Sequence, residues 1–331
     1  MPGIRLIRMG VTEAWKTQAM YHAVAETMTD GSPDTIILCR PDAPYLCLGY
    51  HQALDDLFDA RACALQSLPV YRRKVGGGAT YLDGDQFFYQ CIFHPTSLPA
   101  GTREIFSTLL EAPIRALRRL GLGADLFDIN EIRVGGRRIA GTGGGAIGDA
   151  VVVIGNIIGD FPFDILPSVW RLRGGSGFRG IAAAALRAHV TSLRLEGVRV
   201  APETLDEVIA DEYLQTLGRP LAEGGITPAE EQCALRVAEE LRSEEFVGSP
   251  SHLQASVSKP LKIASGVYLH AATAAFRGSP VRAVMCVREG IIVDASIDSD
   301  AQVGGEDAVR ALVGTSFERW REKLQCAQEA A

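Results

Sequence analysis

The chain has 331 residues, with 33 Lys+Arg against 40 Asp+Glu and a formal net charge of −7, long enough for two domains with ordinary cores. Its 47% hydrophobic and 22% charged residues exclude wholesale disorder, and an acidic chain without a dense Lys/Arg run excludes a dedicated nucleic-acid binder. The longest apolar stretches, 150–158 and 181–186, fall well below the roughly 18 residues of a membrane span, and the first residues, MPGIRLIRMG, carry no signal-peptide core, so a cytoplasmic protein with no membrane partner is expected.

Ala, Met and Val at helical spacing predict an amphipathic helix over 12–28, closed by Asp30-Gly31. Residues 35–39 (TIILC) and 45–50 (YLCLGY) read as short strands about a proline turn, and 86–93 (QFFYQCIF) as a strand rich in aromatic and β-branched residues. A helix over 103–120, kinked or restarted at Pro113, precedes a short strand near 132–140, a glycine cluster and a buried strand at 150–158. Residues 171–188 lack clear periodicity and read as a long loop with a short helix. Helices at 202–217 and 227–242 open on Pro202 and on Thr227-Pro228. The polar stretch 243–257 reads as a linker. Beyond it, strands at 260–273 and 281–296 about the turn 277–280, then helices at 305–313 and 315–327, form a small α+β segment, with Phe317, Trp320 and Leu324 packing on it. The expected domains are 1–245 and 255–331.

Two segments carry chemistry. In the first, Arg72-Arg73-Lys74-Val75 runs into Gly76-Gly77-Gly78, then Ala79-Thr80-Tyr81-Leu82-Asp83. Consecutive glycines let backbone N–H groups approach a ligand closely, and Arg73 offers charge-assisted contacts to a phosphate or carboxylate. The bland alternative is a hairpin with a glycine bulge and a solvated basic turn. The second segment runs Asn130-Glu131-Ile132-Arg133, then Arg137-Arg138-Ile139-Ala140-Gly141, then a literal G-x-G-x-x-G at 143–148. A dinucleotide fingerprint needs a helix to open from those glycines. The β-branched run that follows argues against one. A flexible loop closing on an anion, or a surface hairpin with exposed arginines, remains.

Taken together, the two segments resemble the lipoate–protein ligase family of the biotin and lipoate ligase group. The matching residues are Arg72-Arg73, Gly76-Gly77-Gly78, Ala79-Thr80-Tyr81 and Asp83, then Asn130-Glu131-Ile132 and Arg137-Arg138-Ile139-Ala140-Gly141, with His189-Val190-Thr191-Ser192-Leu193 similar to the element that closes the catalytic domain. The resemblance implies an α+β fold: a large mixed-sheet catalytic domain of the biotin/lipoate ligase type and a small C-terminal α+β accessory domain. It implies ATP-dependent activation of lipoate, or a related medium-chain acyl group, to lipoyl-AMP with Mg2+, then transfer to a lysine of an acceptor lipoyl domain. By carry-over, Arg73, Gly76, Gly77, Gly78, Ala79, Thr80, Tyr81, Asp83, Asn130 and Gly141 bind the nucleotide or adenylate. Arg138 takes the catalytic position, where the family has a lysine. Tyr45, Leu46 and Tyr50 are candidates to line the lipoyl slot.

Leu82, Val75 and Ile154 also depart from the family's histidine, hydroxyl and histidine positions. Lys74 could substitute for the missing lysine, although its strand phase points it away from Arg73. Two alternatives follow: a non-catalytic binder of lipoate or lipoyl domains, and an acyl-carrier-dependent octanoyl or lipoyl transferase. Some transferases use a cysteine nucleophile, but Cys91 reads as a core thiol, and no other cysteine lies between 92 and 232. Seven cysteines without a C-x-x-C pair and six scattered histidines suggest no resident metal site. The acidic pairs Asp55-Asp56 and Glu239-Glu240 read as solvated faces.

Overall fold

A computed structural model describes residues 3–171, 177–248, 260–276, 279–299 and 305–329. The chain divides into two compact units, one of Met1–Leu54, Ala64–Phe161 and Thr191–Leu253, the other of Asp55–Cys63, Pro162–Val190 and Gln254–Ala331. The first unit is built from strands β1 (Ile4–Thr12), β2 (Thr35–Pro41), β3 (Tyr45–Leu48), β4 (Val70–Arg72), β5 (Thr80–Leu82), β6 (Gln86–Phe93), β7 (Ala124–Phe127), β8 (Glu131–Val134), β9 (Arg137–Ile147), β10 (Ala150–Ile158) and β11 (Leu221–Glu223). They form an eight-stranded sheet of order β11-β1-β2-β6-β10-β9-β8-β7 and a three-stranded sheet β4-β3-β5. In the large sheet β1 runs parallel to β2 and β11, while the remaining neighbours are antiparallel, so the sheet is mixed.

Helices cover both faces, which is why QFFYQCIF is largely apolar on both sides. Phe87, Tyr89, Cys91 and Phe93 join the core built with α4 (Thr102–Arg119) and α7 (Pro202–Leu217). Helix α1 (Ala14–Glu26) precedes them in this unit, whereas the short α2 (Leu54–Leu57) and α3 (Ala60–Leu65) fall largely in the second unit's segment Asp55–Cys63. Phe88 and Ile92 join the opposite core, built with α1 and α8 (Pro228–Arg242). Helix α4 continues through Pro113 without restarting, its proline buried. Helix α8 opens on a capping box between Thr227 and Glu230, the start that Thr227-Pro228 predicts.

The second unit contains α5 (Ile165–Val169), α6 (Gly177–His189) and a four-stranded antiparallel sheet, β12 (Leu261–Ala264), β13 (Val267–Phe276), β14 (Ser279–Arg288) and β15 (Ile291–Ser299). Helices α10 (Gly305–Leu312) and α11 (Trp320–Glu329) pack on it through Leu312, Trp320 and Leu324 against Met285 and Ile292. Helix α6 packs on β14 and β15. Of the stretch 171–188, expected as a long loop with a short helix, residues 177–188 belong to a 13-residue helix, with Phe178, Ile181, Ala182, Ala185 and Leu186 buried at i, i+3, i+4, i+7 and i+8, and residues 172–176 lie outside the described residues. The two strands expected at 260–273 and 281–296 are four, because positive-φ turns at Gly266 and at Glu289-Gly290 divide them. Most of the expected linker and the first half of the turn at 277–280 lie outside the described residues.

The flexible loop expected at 143–148 is corrected as well. Residues 143–147 belong to β9 and pair with β10, Gly143 opposite Ile154 and Gly145 opposite Val152. Glycines stand in this strand because its neighbours occupy the side-chain space. A Cβ on Gly144 would lie 2.9 Å from the Phe106 ring, and one on Gly143 would lie 2.5 Å from the Gly76 carbonyl oxygen.

Candidate functional site

The glycine triplet leaves β4 and is clamped from three sides. Arg73 is 6% exposed. Its guanidinium donates to the Gly76 carbonyl at 3.1 and 3.2 Å and to the Gly78 carbonyl at 2.8 Å. The Gly76 N–H donates to the Gly144 carbonyl at 3.2 Å, which joins the first signature to β9. Gly77 has φ +115 and packs on Gly49, where an added Cβ would stand 2.0 Å from the Gly77 oxygen, so both positions require glycine. With its carbonyls drawn onto Arg73, the loop leaves Gly77 and Gly78 exposed. Consecutive N–H groups in such a turn form an anion-binding concavity.

Arg72 is 1% exposed and faces elsewhere. It donates to the carbonyls of Gly49, Tyr50 and Gln52, and to those of Phe246 and Val247 in α9 (Glu244–Gly248). Lys74 also points away from the loop, into a cluster with Glu26 at 2.8 Å and Glu240 at 2.7 Å. It is therefore not placed to substitute for a catalytic lysine, and Glu240 is a partner rather than a member of a solvated face. Thr80 and Tyr81 pair with β3 at Cys47 and Leu46, with Ala79 half-buried just before them. Burial raises the Asp83 carboxyl above its ordinary range, opposed by the Asp85 N–H and the Tyr81 hydroxyl. Its Oδ1 accepts the Asp85 N–H at 3.0 Å, so the side chain holds the turn into β6.

The second signature is set by a β-bulge. Strands β8 and β9 pair Ile132 with Ala140 and then Arg133 with Arg138, leaving Ile139 as an extra residue. Ile132, Val134, Ile139 and Ala140 all enter the α4/α7 core. The bulge thus keeps Ile139 inside while turning Arg138 to the opposite face, beside Arg133 and Glu131. Arg138 is half-buried, and its guanidinium makes no side-chain hydrogen bond or ion pair among the described residues. Burial lowers its pKa, with Glu131 opposing the shift and Arg133 adding to it. By contrast Arg133 pairs with Glu131 at 2.6 Å and Arg137 with Glu196 at 2.7 Å. Asn130 locks onto β9: its Nδ2 donates to the Thr142 carbonyl and its own carbonyl accepts the Thr142 N–H, each at 3.0 Å. Gly141 pairs with Glu131 and with Asn156. The Thr191 N–H donates to the Arg138 carbonyl at 2.9 Å, so the Val-Thr-Ser-Leu element braces the same strand.

Tyr45, Leu46 and Tyr50 do not converge on a slot. Tyr45 and Leu46 have no exposed surface, and the Tyr45 hydroxyl is held at 2.7 Å by Thr17 and by Gln18. Tyr50 is 42% exposed beside His51 and Phe246. Cys91 is fully buried, donates to the Tyr213 hydroxyl at 3.2 Å, and has its thiol pushed up to about 12 by burial. Cys47 also lies under the glycine loop, 3.6 Å from an Arg73 nitrogen, but it too is fully buried and its pKa is raised. Sequence reasoning missed Gly49, Cys47 and the polar inner face of α1, and it read Gly143 as part of a loop. A lone glycine carries no local sign of the backbone that will pack on it, and Thr17, Gln18 and His22 interrupt the apolar pattern only mildly.

With this geometry in view, comparisons with known proteins identify the class. The chain belongs to the lipoyl protein ligase A/B catalytic domain family, whose pattern matches residues 13–214. It is 24% identical over 267 residues to the octanoyltransferase LipM of Kyrpidia tusciae, covering 73% of this chain and 97% of that protein. In fold it is similar to a bi-partite lipoate protein ligase from Thermoplasma acidophilum, solved in a study of that ligase and its E2 lipoyl domain. The TM-score is 0.69 at 21% identity, over 77% of this chain and 100% of that one. A structure of lipoate-protein ligase A bound with ATP matches with a TM-score of 0.64 at 21% identity, over 76% of this chain and 100% of that one. The protein is thus a member of the lipoate ligase and lipoyl/octanoyl transferase family, with a large mixed sheet and a small C-terminal β-sheet unit.

Proposed function

We propose that the protein activates lipoate, or a related medium-chain acid, as its acyl-adenylate and passes the acyl group to a lysine of a lipoyl-domain acceptor. The carrying observation is Arg138: its guanidinium has no side-chain hydrogen bond or ion pair among the described residues, and it stands on β9, the strand to which the glycine loop is tied through the Gly76 N–H. ATP with Mg2+, when bound, would supply the AMP moiety and the pyrophosphate leaving group. The donor set fits such a ligand, since Arg138 and the Gly77–Gly78 backbone offer charge and N–H groups to phosphate oxygens. Asn130 and Thr191 act indirectly, by fixing β9.

A second reading, octanoyl transfer from an acyl carrier without ATP, is favoured by the LipM relative. Its covalent form requires a reactive thiolate, and the thiols beside the two signatures, Cys47 and Cys91, are fully buried with raised pKa values. Cys91→Ala is accordingly expected to leave acyl transfer within about twofold while destabilising the fold modestly. Loss of transfer in a folded variant would favour the thioester route. The deciding assay is pyrophosphate release with ATP and lipoate or octanoate, run beside transfer from octanoyl-carrier protein without ATP. Turnover in the second reaction alone would overturn the ligase reading.

Gly49→Ala tests the loop. Its Cβ would meet two backbone atoms of Gly77, the oxygen at 2.0 Å and the carbon at 2.9 Å, so the loop must move. An expected rise of about tenfold in the KM for ATP follows from misplacing ligand-binding groups by an ångström or less. Steady-state pyrophosphate release measures it.

A further inference from the structure

We propose that His22 is a positioning residue for the glycine loop: its imidazole fixes the backbone between Arg73 and Val75. This rests on the adenylate reading for its ligand but on the unliganded fold for its geometry. His22 lies on α1 with no exposed surface, stacked on Tyr21 with ring centroids 4.1 Å apart. Its Nδ1 stands 2.6 Å from the Gln18 carbonyl oxygen and its Nε2 accepts the Lys74 N–H at 3.0 Å. A carbonyl only accepts and an amide only donates, so these two partners assign the Nδ1–H tautomer. Burial agrees, holding the ring's pKa down at about 3.

The bond to Lys74 falls at a decisive place. Leu48 holds the Arg73 N–H at 3.0 Å and His22 holds the next N–H, so two consecutive peptides are fixed from two different elements. From that anchored backbone the Arg73 guanidinium reaches forward to the Gly76 and Gly78 carbonyls. Removing the Nε2 acceptor leaves the Lys74 N–H without its acceptor and frees the root of the Arg73 strut. The Gly77 and Gly78 N–H groups then lose the fixed arrangement that makes them useful to an anion before it arrives.

Two near-isosteric variants separate positioning from mere packing. Gln reaches the Nε2 position and retains an acceptor there, whereas Asn reaches only the Nδ1 position. His22→Asn is expected to weaken binding of a non-hydrolysable lipoyl-sulfamoyl-adenosine about tenfold by calorimetry. The same variant should speed hydrogen exchange of the 74–79 amides about tenfold in the unliganded protein. His22→Gln should stay within about threefold of the wild type in both. Equal behaviour of folded Asn and Gln variants, or an Asn variant with wild-type affinity and protection, overturns the proposal. If the wild type does not bind the analogue, the adenylate reading falls, and the exchange contrast still decides the role of His22. Should His22→Asn not fold, the wild-type Lys74 amide resonance decides: a shift on adding the analogue supports the proposal, and an unmoved resonance with bound analogue overturns it.

Discussion

Arg138→Met is expected to lower the rate of pyrophosphate release from ATP and lipoate about a hundredfold, the scale on which removing one charged stabiliser of a developing anion is felt. The unfolding free energy should change by no more than about 1 kcal/mol, because no side-chain partner among the described residues loses a contact and the methionine keeps the apolar stem. Arg138→Lys separates two meanings of the arginine. The position is half-buried and directly opposite Arg133, and burial already lowers the pKa of the resident group. A lysine there starts from a lower pKa and surrenders charge more readily, and it lacks the planar fork. A fall of about tenfold is expected, marking arginine as the adapted residue. A rise would mean that the chain descends from a lysine enzyme and has lost efficiency. Rates and chemical denaturation measured on the same preparations decide both points.

Asp34→Ala is expected to destabilise the first unit by about 3–5 kcal/mol, since it breaks a buried ion pair from one side. Asp34 is 2% exposed and meets the Arg219 guanidinium at 2.5 Å. Its other carboxylate oxygen accepts the His94 N–H at 2.8 Å. The pair ties the segment entering β11 to the segment entering β2, at the edge where β1 joins both. Replacing both partners, Asp34→Ala with Arg219→Met, should cost less than Asp34→Ala alone plus Arg219→Met alone, because the stranded charge is gone. Urea unfolding of the four proteins gives the coupling energy, and additive losses would show that the ion pair contributes nothing beyond its separate parts.

Much of the fold is legible in the chain because local chemistry and tertiary role agree there. Thr227-Pro228 marks the start of α8, and the apolar run of 150–158 marks a strand covered on both faces. The two signatures are legible for a related reason: glycines beside arginines are costly to keep without a ligand or a close backbone to justify them. The failures are equally physical. Gly143, Gly144 and Gly145 look like a hinge from composition, yet their empty side-chain positions are filled by Gly76, Phe106 and Val75, so they form a strand. Residues 171–188 look aperiodic because alanines blur the amphipathic contrast, yet α6 buries one face against the C-terminal sheet. Tyr45 and Leu46 look like pocket walls, but β3 is an inner strand of the small sheet and both are core.

By itself the sequence determined the order of its two signatures and, through them, the lipoate ligase and lipoyl/octanoyl transferase family, since charge and backbone freedom are written locally. Only the tertiary structure decided which arginine is available. The resemblance singles out Arg138 among Arg72, Arg73, Arg133, Arg137 and Arg138, but nothing along the chain shows that the other four are committed to carbonyls or carboxylates. A single extra residue at Ile139 turns the fifth away from the α4/α7 core to the opposite side of the sheet, the side proposed for the ligand. That selection depends on strand register and on which partners come within reach, and both exist only once distant segments have packed.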